Sequence, residues 1–180
     1  VPLILTVCTG NICRSPAAEL LLQRALGDIA TVASAGTHAL VGHGVPEPML
    51  AELAAGGIDG SSHRAQLLTE GLMRDADIII TMTTEHRRHA VSTAPSALKR
   101  TFTLAELAAS AGTGQTLVGA TPAERIADIP RAVAAHRHVL AGLELDDVPD
   151  PYGYGQTEYH DSYRLIARAV DEVAAWIGQA

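Results

Sequence analysis

The chain opens on an apolar run, residues 1–8, that stops at the turn-forming cluster Thr9-Gly10-Asn11. A run this short, bounded by turn residues, predicts a strand. From Ser15 the spacing changes. Ala17, Ala18, Leu20, Leu21, Leu22, Ala25 and Leu26 recur at helical intervals, with Pro16 tolerated in the first turn, Glu19 near the positive end and Gly27 as a stop. The chain therefore begins as strand, tight loop, helix.

The same reading continues downstream. Residues 31–35 are β-branched at their start and end at Gly36, which predicts a second strand. Gly42, Gly44, Pro46 and Pro48 mark an irregular link, followed by a short helix over 49–55 and another over 67–73. Residues 76–82 carry three consecutive isoleucines after Asp77, the pattern of a strand buried on both faces. A helix over 86–91 and a fourth strand over 98–103 follow. Residues 108–119, rich in small residues, predict a loop or a weak helix end. Residues 122–143 have helical periodicity interrupted by Pro130, which predicts a kink or two helices separated near Ile129. Residues 146–156 read as a loop, and 159–177 as a packed terminal helix with Tyr163, Ile166, Ala167, Val170, Val173, Ala174 and Ile177 on one broad face.

Strands alternating with helices predict an α/β fold with a parallel sheet and helices on both faces. Nothing marks a repeat or a second domain, so residues 1–180 read as one domain, a normal size for a single core. In such folds ligands collect beyond the carboxyl ends of the strands, where the segment Cys8 to Arg14 falls.

Composition narrows the function. A net charge of −7 disfavours general attraction to nucleic acid or anionic membranes. No stretch is apolar over the length a bilayer requires, and the opening segment has no basic leader, so the expected location is the cytoplasm. With only 3% aromatic residues, the core must be aliphatic. The two cysteines are too few for a disulfide scaffold or an all-cysteine zinc site. The eight histidines are scattered, and neither Cys-x-x-Cys nor His-Glu-x-x-His occurs.

The chemistry concentrates in Cys8-Thr9-Gly10-Asn11-Ile12-Cys13-Arg14-Ser15. A loop of this length between strand and helix can curl around a tetrahedral oxyanion, aiming successive N–H groups at its oxygens while the helix adds its positive end. Gly10 suits close backbone approach or a positive φ. Arg14 can grip two oxygens with its planar guanidinium, leaving Cys8 beneath the phosphorus as a nucleophile whose thiolate such donors stabilise. Spacing alone leaves open that Cys8 is simply a buried small hydrophobe. A nucleotide-binding loop is disfavoured, because neither Gly-Lys-Ser/Thr nor Gly-x-Gly-x-x-Gly is present.

The run Val7 to Pro16 closely resembles the signature of the low-molecular-weight protein tyrosine phosphatases. Further similarity lies at Ser34-Ala35-Gly36-Thr37, His63-Arg64, the strand ending at Met82, and Asp150-Pro151-Tyr152. The resemblance implies a four-stranded parallel sheet, no metal or organic cofactor, and hydrolysis of phosphotyrosine in proteins and of small aryl phosphates through a phosphocysteine. It implies Cys8 as nucleophile, Arg14 as phosphate clamp, residues 9–15 as the phosphate loop, and Asp150 as general acid and then base. Ser15 would assist departure of the sulfur, and Asn11 would brace the loop with Ser34 as its partner. The partners implied are a phosphotyrosine-containing protein and inorganic phosphate, as product and inhibitor.

Tyr152 and Tyr154 are the candidate pocket wall, while Tyr159 and Tyr163 are helix-spaced and suit seating of the last helix. Leu40 stands where family members often place an aromatic wall, and the segments around 112–119 and up to Leu143 lengthen the chain. Cys13 is either an inert loop residue or, by resemblance, a disulfide partner of Cys8. Arsenate reductases share the first motif but need later cysteines, and none follows Cys13. A phosphoarginine-hydrolysing branch carries threonine where this loop has Ile12; Ile12 points to phosphotyrosine, whereas Thr9 resembles that branch. Phosphoarginine hydrolysis and a catalytically weak phosphoprotein-binding module are the alternatives. His86, Arg87, Arg88 and His89 read as a solvated helix face or, alternatively, as a patch that attracts a phosphoprotein's acidic flank.

Overall fold

In a computed structural model that describes residues 1–178, β1 (Leu3–Cys8), β2 (Thr31–Gly36), β3 (Ile78–Thr81) and β4 (Thr101–Thr103) form one parallel sheet in the order β2-β1-β3-β4. Adjacent strand residues face opposite sides, and here both sides are covered, which is why the central strands β1 and β3 are mostly apolar. On one side Ile4, Ile78 and Ile80 pack with buried residues of α1 (Arg14–Leu26), α2 (Glu47–Ala55), α5 (Leu104–Gly112), α6 (Pro122–Ala135) and α8 (Gln156–Gly178). On the other, Leu5, Val7 and Ile79 pack with Met73 of α3 (Glu70–Asp75) and Ala90 of α4 (Thr84–Thr93). No helix among the described residues is long and apolar enough to cross a membrane.

α8 takes the place expected of the terminal helix, burying Tyr159, Ile166, Val170, Val173, Trp176 and Ile177. Each large apolar side chain fully buried contributes about 1.5–3 kcal/mol. Trp176 also donates its indole N–H to the Gln115 carbonyl at 2.9 Å.

Several local expectations are corrected. The helix predicted over 67–73 begins at Glu70, because the Thr69 hydroxyl caps it by accepting from the Leu72 N–H, while Leu67 pairs with Gly36. The fourth strand shrinks to three residues, with Leu98 in the 3-10 turn before it. Residues 108–112 close α5 and 113–119 form the loop after it, as expected; the start of that helix, unread in the sequence, is fixed by a reciprocal capping box between Thr103 and Glu106. Pro130 lies inside a continuous α6. The break falls later, at His136, before the short α7 (Arg137–Leu140).

The strand order places the switch in connection direction between β1 and β3, where open parallel sheets leave a crevice beyond the carboxyl ends. The segment after Cys8 occupies that edge. The segment before α8 joins it there, through Val148 N–H donating to the Met82 carbonyl at 3.0 Å.

Candidate active site

β1 ends at Cys8 and α1 starts at Arg14, so residues 9–13 must reverse direction in a few steps. Asn11 makes the reversal: its φ of 55° is the only positive value at a non-glycine residue among the described residues. Asparagine tolerates this region when local hydrogen bonds hold it. Its Nδ2 donates to Ser15 Oγ at 2.9 Å and to Ser34 Oγ at 2.8 Å, and its Oδ1 accepts from the Gln66 N–H at 2.8 Å. Its carbonyl accepts from His63 Nε2 at 2.7 Å. The other ring nitrogen of His63 faces Glu19 Oε2 at 3.8 Å, and Glu19 also accepts from the Ser34 hydroxyl. Burial raises the Glu19 carboxyl above its ordinary value, opposed by those two neighbours.

Of the two reasons for a glycine at position 10, a positive φ is absent. Gly36 packs against the loop from behind, where a Cβ would stand 2.4 Å from the Thr9 carbonyl oxygen and 3.0 Å from the Asn11 nitrogen. Both obstacles are backbone. Gly36→Ala is expected to cost about 1–3 kcal/mol in a denaturant titration, with a disproportionate loss of activity because the atoms displaced belong to the loop itself.

Cys8 is buried, with Sγ 3.0 Å from Ser15 Oγ. Since Asn11 already donates to that hydroxyl, the Ser15 proton is available to the sulfur. Arg14, only 4% exposed, donates through Nη1 to the Val148 carbonyl at 3.0 Å and pairs through Nη2 with Asp150 Oδ2 at 3.2 Å. The Asp150 side chain is half exposed, and its Oδ1 accepts from the Tyr152 N–H at 3.2 Å.

Sulfur, guanidinium and carboxylate converge on a cavity of about 200 Å³, lined by Cys8, Thr9, Gly10, Ile12, Cys13, Arg14, His38, Leu40, Asp150 and Tyr152. Asn11, Ser15 and Ser34 lie behind it as the brace. Tyr154 does not reach the cavity: it is 68% exposed, its N–H closing a turn onto the Pro151 carbonyl. Tyr159 is buried in the seat of α8, with its hydroxyl 3.9 Å from Cys13 Sγ. Burial pushes the Cys13 thiol up to about 12, so it stays protonated at neutral pH.

Two histidines at the site, one lining the cavity and one behind it, escaped sequence reading. His38 enters the wall from the segment after β2 and left no signal. His86 was assigned to a solvated face, yet it is 4% exposed, with Nε2 2.8 Å from Thr9 Oγ1. Burial, then the nearby Arg14 charge, lowers its pKa to about 4, so it is neutral at pH 7. His86 and Ala90 are four apart and both buried on α4, a helical spacing that the surrounding Arg87, Arg88 and His89 concealed.

Residues 3–115 match the family model described as low molecular weight phosphotyrosine protein phosphatase. The chain is 32% identical over 174 residues to a probable low molecular weight protein-tyrosine-phosphatase, EpsP, of Ralstonia solanacearum, covering 97% of this chain and 92% of that protein. The crystal structure of the Erwinia amylovora tyrosine phosphatase AmsI matches with a TM-score of 0.74 at 26% identity, covering 97% of this chain and 92% of that one. The YwlE arginine phosphatase of Geobacillus stearothermophilus matches with a TM-score of 0.72 at 26% identity, over the same shares. Tyrosine phosphatases predominate among the relatives, which favours phosphotyrosine over phosphoarginine. Fold, cysteine-centred cavity and relatives agree that the chain belongs to the low molecular weight protein-tyrosine phosphatases, enzymes that hydrolyse phosphotyrosine through a phosphocysteine intermediate.

Proposed function

We propose that the cavity between the Cys8 loop and the Asp150 loop binds the phosphoryl group of a phosphotyrosine-containing protein, with Cys8 as nucleophile and Asp150 as proton donor. The observation that carries this reading is the convergence of Cys8, Arg14 and Asp150 on one cavity, with Arg14 and Asp150 paired at 3.2 Å. N–H groups of residues 9–15 and the Arg14 guanidinium hold the equatorial oxygens and stabilise their charge in the transition state. Cys8 Sγ forms the bond to phosphorus as the phosphorus–phenol bond breaks, and the departing phenolate takes the Asp150 proton. Water then gives a proton back to Asp150 and attacks phosphorus. The sulfur leaves as thiolate, met by the Ser15 hydroxyl, and inorganic phosphate is released.

Leu40 and Tyr152 flank the phenyl ring, so aryl contact is aliphatic on one side and aromatic on the other. Inorganic phosphate, as product, occupies the same donors and inhibits competitively. Two free thiols suit a reducing compartment, consistent with a cytoplasmic enzyme.

The test is a phosphotyrosine peptide assay with acid quench and peptide mapping, which should recover the phosphoryl group on Cys8. Arg14→Lys keeps the charge but loses the planar fork, and should weaken phosphate inhibition and lower kcat/KM by about 10²-fold or more. Phosphate bound equally well by that variant would remove Arg14 from the clamp.

A further inference from the structure

The first turn of α4 sends hydrogen bonds in two directions, each ending on a different half of the active site. On one side His86 meets Thr9, the residue directly after Cys8, at 2.8 Å. On the other, the N–H and hydroxyl of Thr84 both donate to Asp147 Oδ1, at 2.8 and 3.1 Å, three residues ahead of Asp150. Just before the turn, Met82 donates its N–H to the Val7 carbonyl and accepts from Val148 N–H, both at 3.0 Å. Residues 82–86 thus touch the nucleophile's strand, its loop and the loop that carries the carboxylate.

Beyond the two contacts from Arg14, to the Val148 carbonyl and to Asp150, the Asp150 loop has few other holds. Across residues 141–155 only Val148 and Pro151 are buried. Asp147 sits where the unpaired N–H groups and positive end of α4 favour a carboxylate. On the other side, His86 Nδ1 is buried without a hydrogen-bond partner in the structure. A buried N–H left unpaired is the rarer arrangement, so the proton belongs on Nε2 and His86 donates to Thr9.

We infer that this turn is a bracket that fixes the Asp150 loop against the phosphate loop, with Asp147 and His86 as positioning residues. Neither touches the reacting atoms. Asp147 sets where Asp150 stands over the leaving group, and His86 sets the first step of the loop that holds the phosphoryl oxygens. The inference rests on the reading of Asp150 as proton donor.

The two arms have separate readouts in the full chain, using aryl phosphates that range from p-nitrophenyl to unsubstituted phenyl. Asp147→Ala should lower kcat on phenyl phosphate by about tenfold or more, leave p-nitrophenyl phosphate and KM little changed, and keep the thermal midpoint. Asp147→Asn retains an oxygen acceptor for Thr84 and should restore most of the loss. His86→Leu should weaken inhibition by inorganic phosphate several-fold without altering the leaving-group dependence. An equal loss across all leaving groups for Asp147→Ala, no loss, or unchanged phosphate inhibition in His86→Leu would overturn the bracket. Asp150→Asn run in parallel separates the two failures: a flat leaving-group response there overturns the acid assignment itself, whereas a steep response there with a flat one for Asp147→Ala overturns only the bracket.

Discussion

Cys8→Ser is expected to abolish steady turnover of aryl phosphates, by at least about 10⁴-fold, while inorganic phosphate still binds. A serine hydroxyl ionises far less readily than a thiol, and an ester formed on its oxygen would be a poorer leaving group than sulfur in the second step. The binding groups are unaffected, because Arg14 and the loop amides keep their places through the Asn11 brace and the Val148 carbonyl. Steady-state rates and calorimetric titration with phosphate separate the two effects. Turnover within tenfold of the parent would move the nucleophile elsewhere. The only other thiol, Cys13, is held protonated by burial, with a pKa near 12.

Asp150→Asn should lower kcat on poor leaving groups by about 10²–10³-fold, with a much smaller effect on p-nitrophenyl phosphate. The phenolate of a weakly acidic phenol needs a proton as its bond to phosphorus breaks, whereas nitrophenolate is stable without one. The substitution preserves shape and an oxygen to accept from the Tyr152 N–H, so the loss measures proton donation rather than a collapsed loop. It also removes the ion pair with Arg14, so KM must be followed separately from kcat. A uniform loss across leaving groups would assign Asp150 to orienting Arg14 instead.

Much of this was legible because short-range chemistry fixed it. The apolar runs at β1 and β3 read as strands, the second as one covered on both faces. The spacing from Cys8 to Arg14 allowed a loop around an oxyanion, whereas Ser34 as the partner of Asn11 followed from the family resemblance. Where reading failed, a competing interaction decided the outcome. The capping box of Thr103 and Glu106 starts α5 at Leu104, ahead of the small-residue tract, and α6 absorbed Pro130 because Ile126, Ile129, Ala132 and Val133 bury one continuous face. Tyr154, beside Tyr152 in sequence, points away from the cavity because a turn separates them.

The amino-acid sequence by itself determined the α/β class and a candidate phosphate loop with its sulfur, which depend on periodicity and on spacing within a few residues, while the distant aspartate came from the family resemblance. Tertiary structure decided the rest. It showed that Gly36 is needed where its strand packs on the loop, that His38 rather than Tyr154 joins the cavity wall, and that His86 faces inward onto Thr9. Each of these joins residues far apart along the chain, through distances set by how the helices settle on the sheet, and no local pattern encodes such distances.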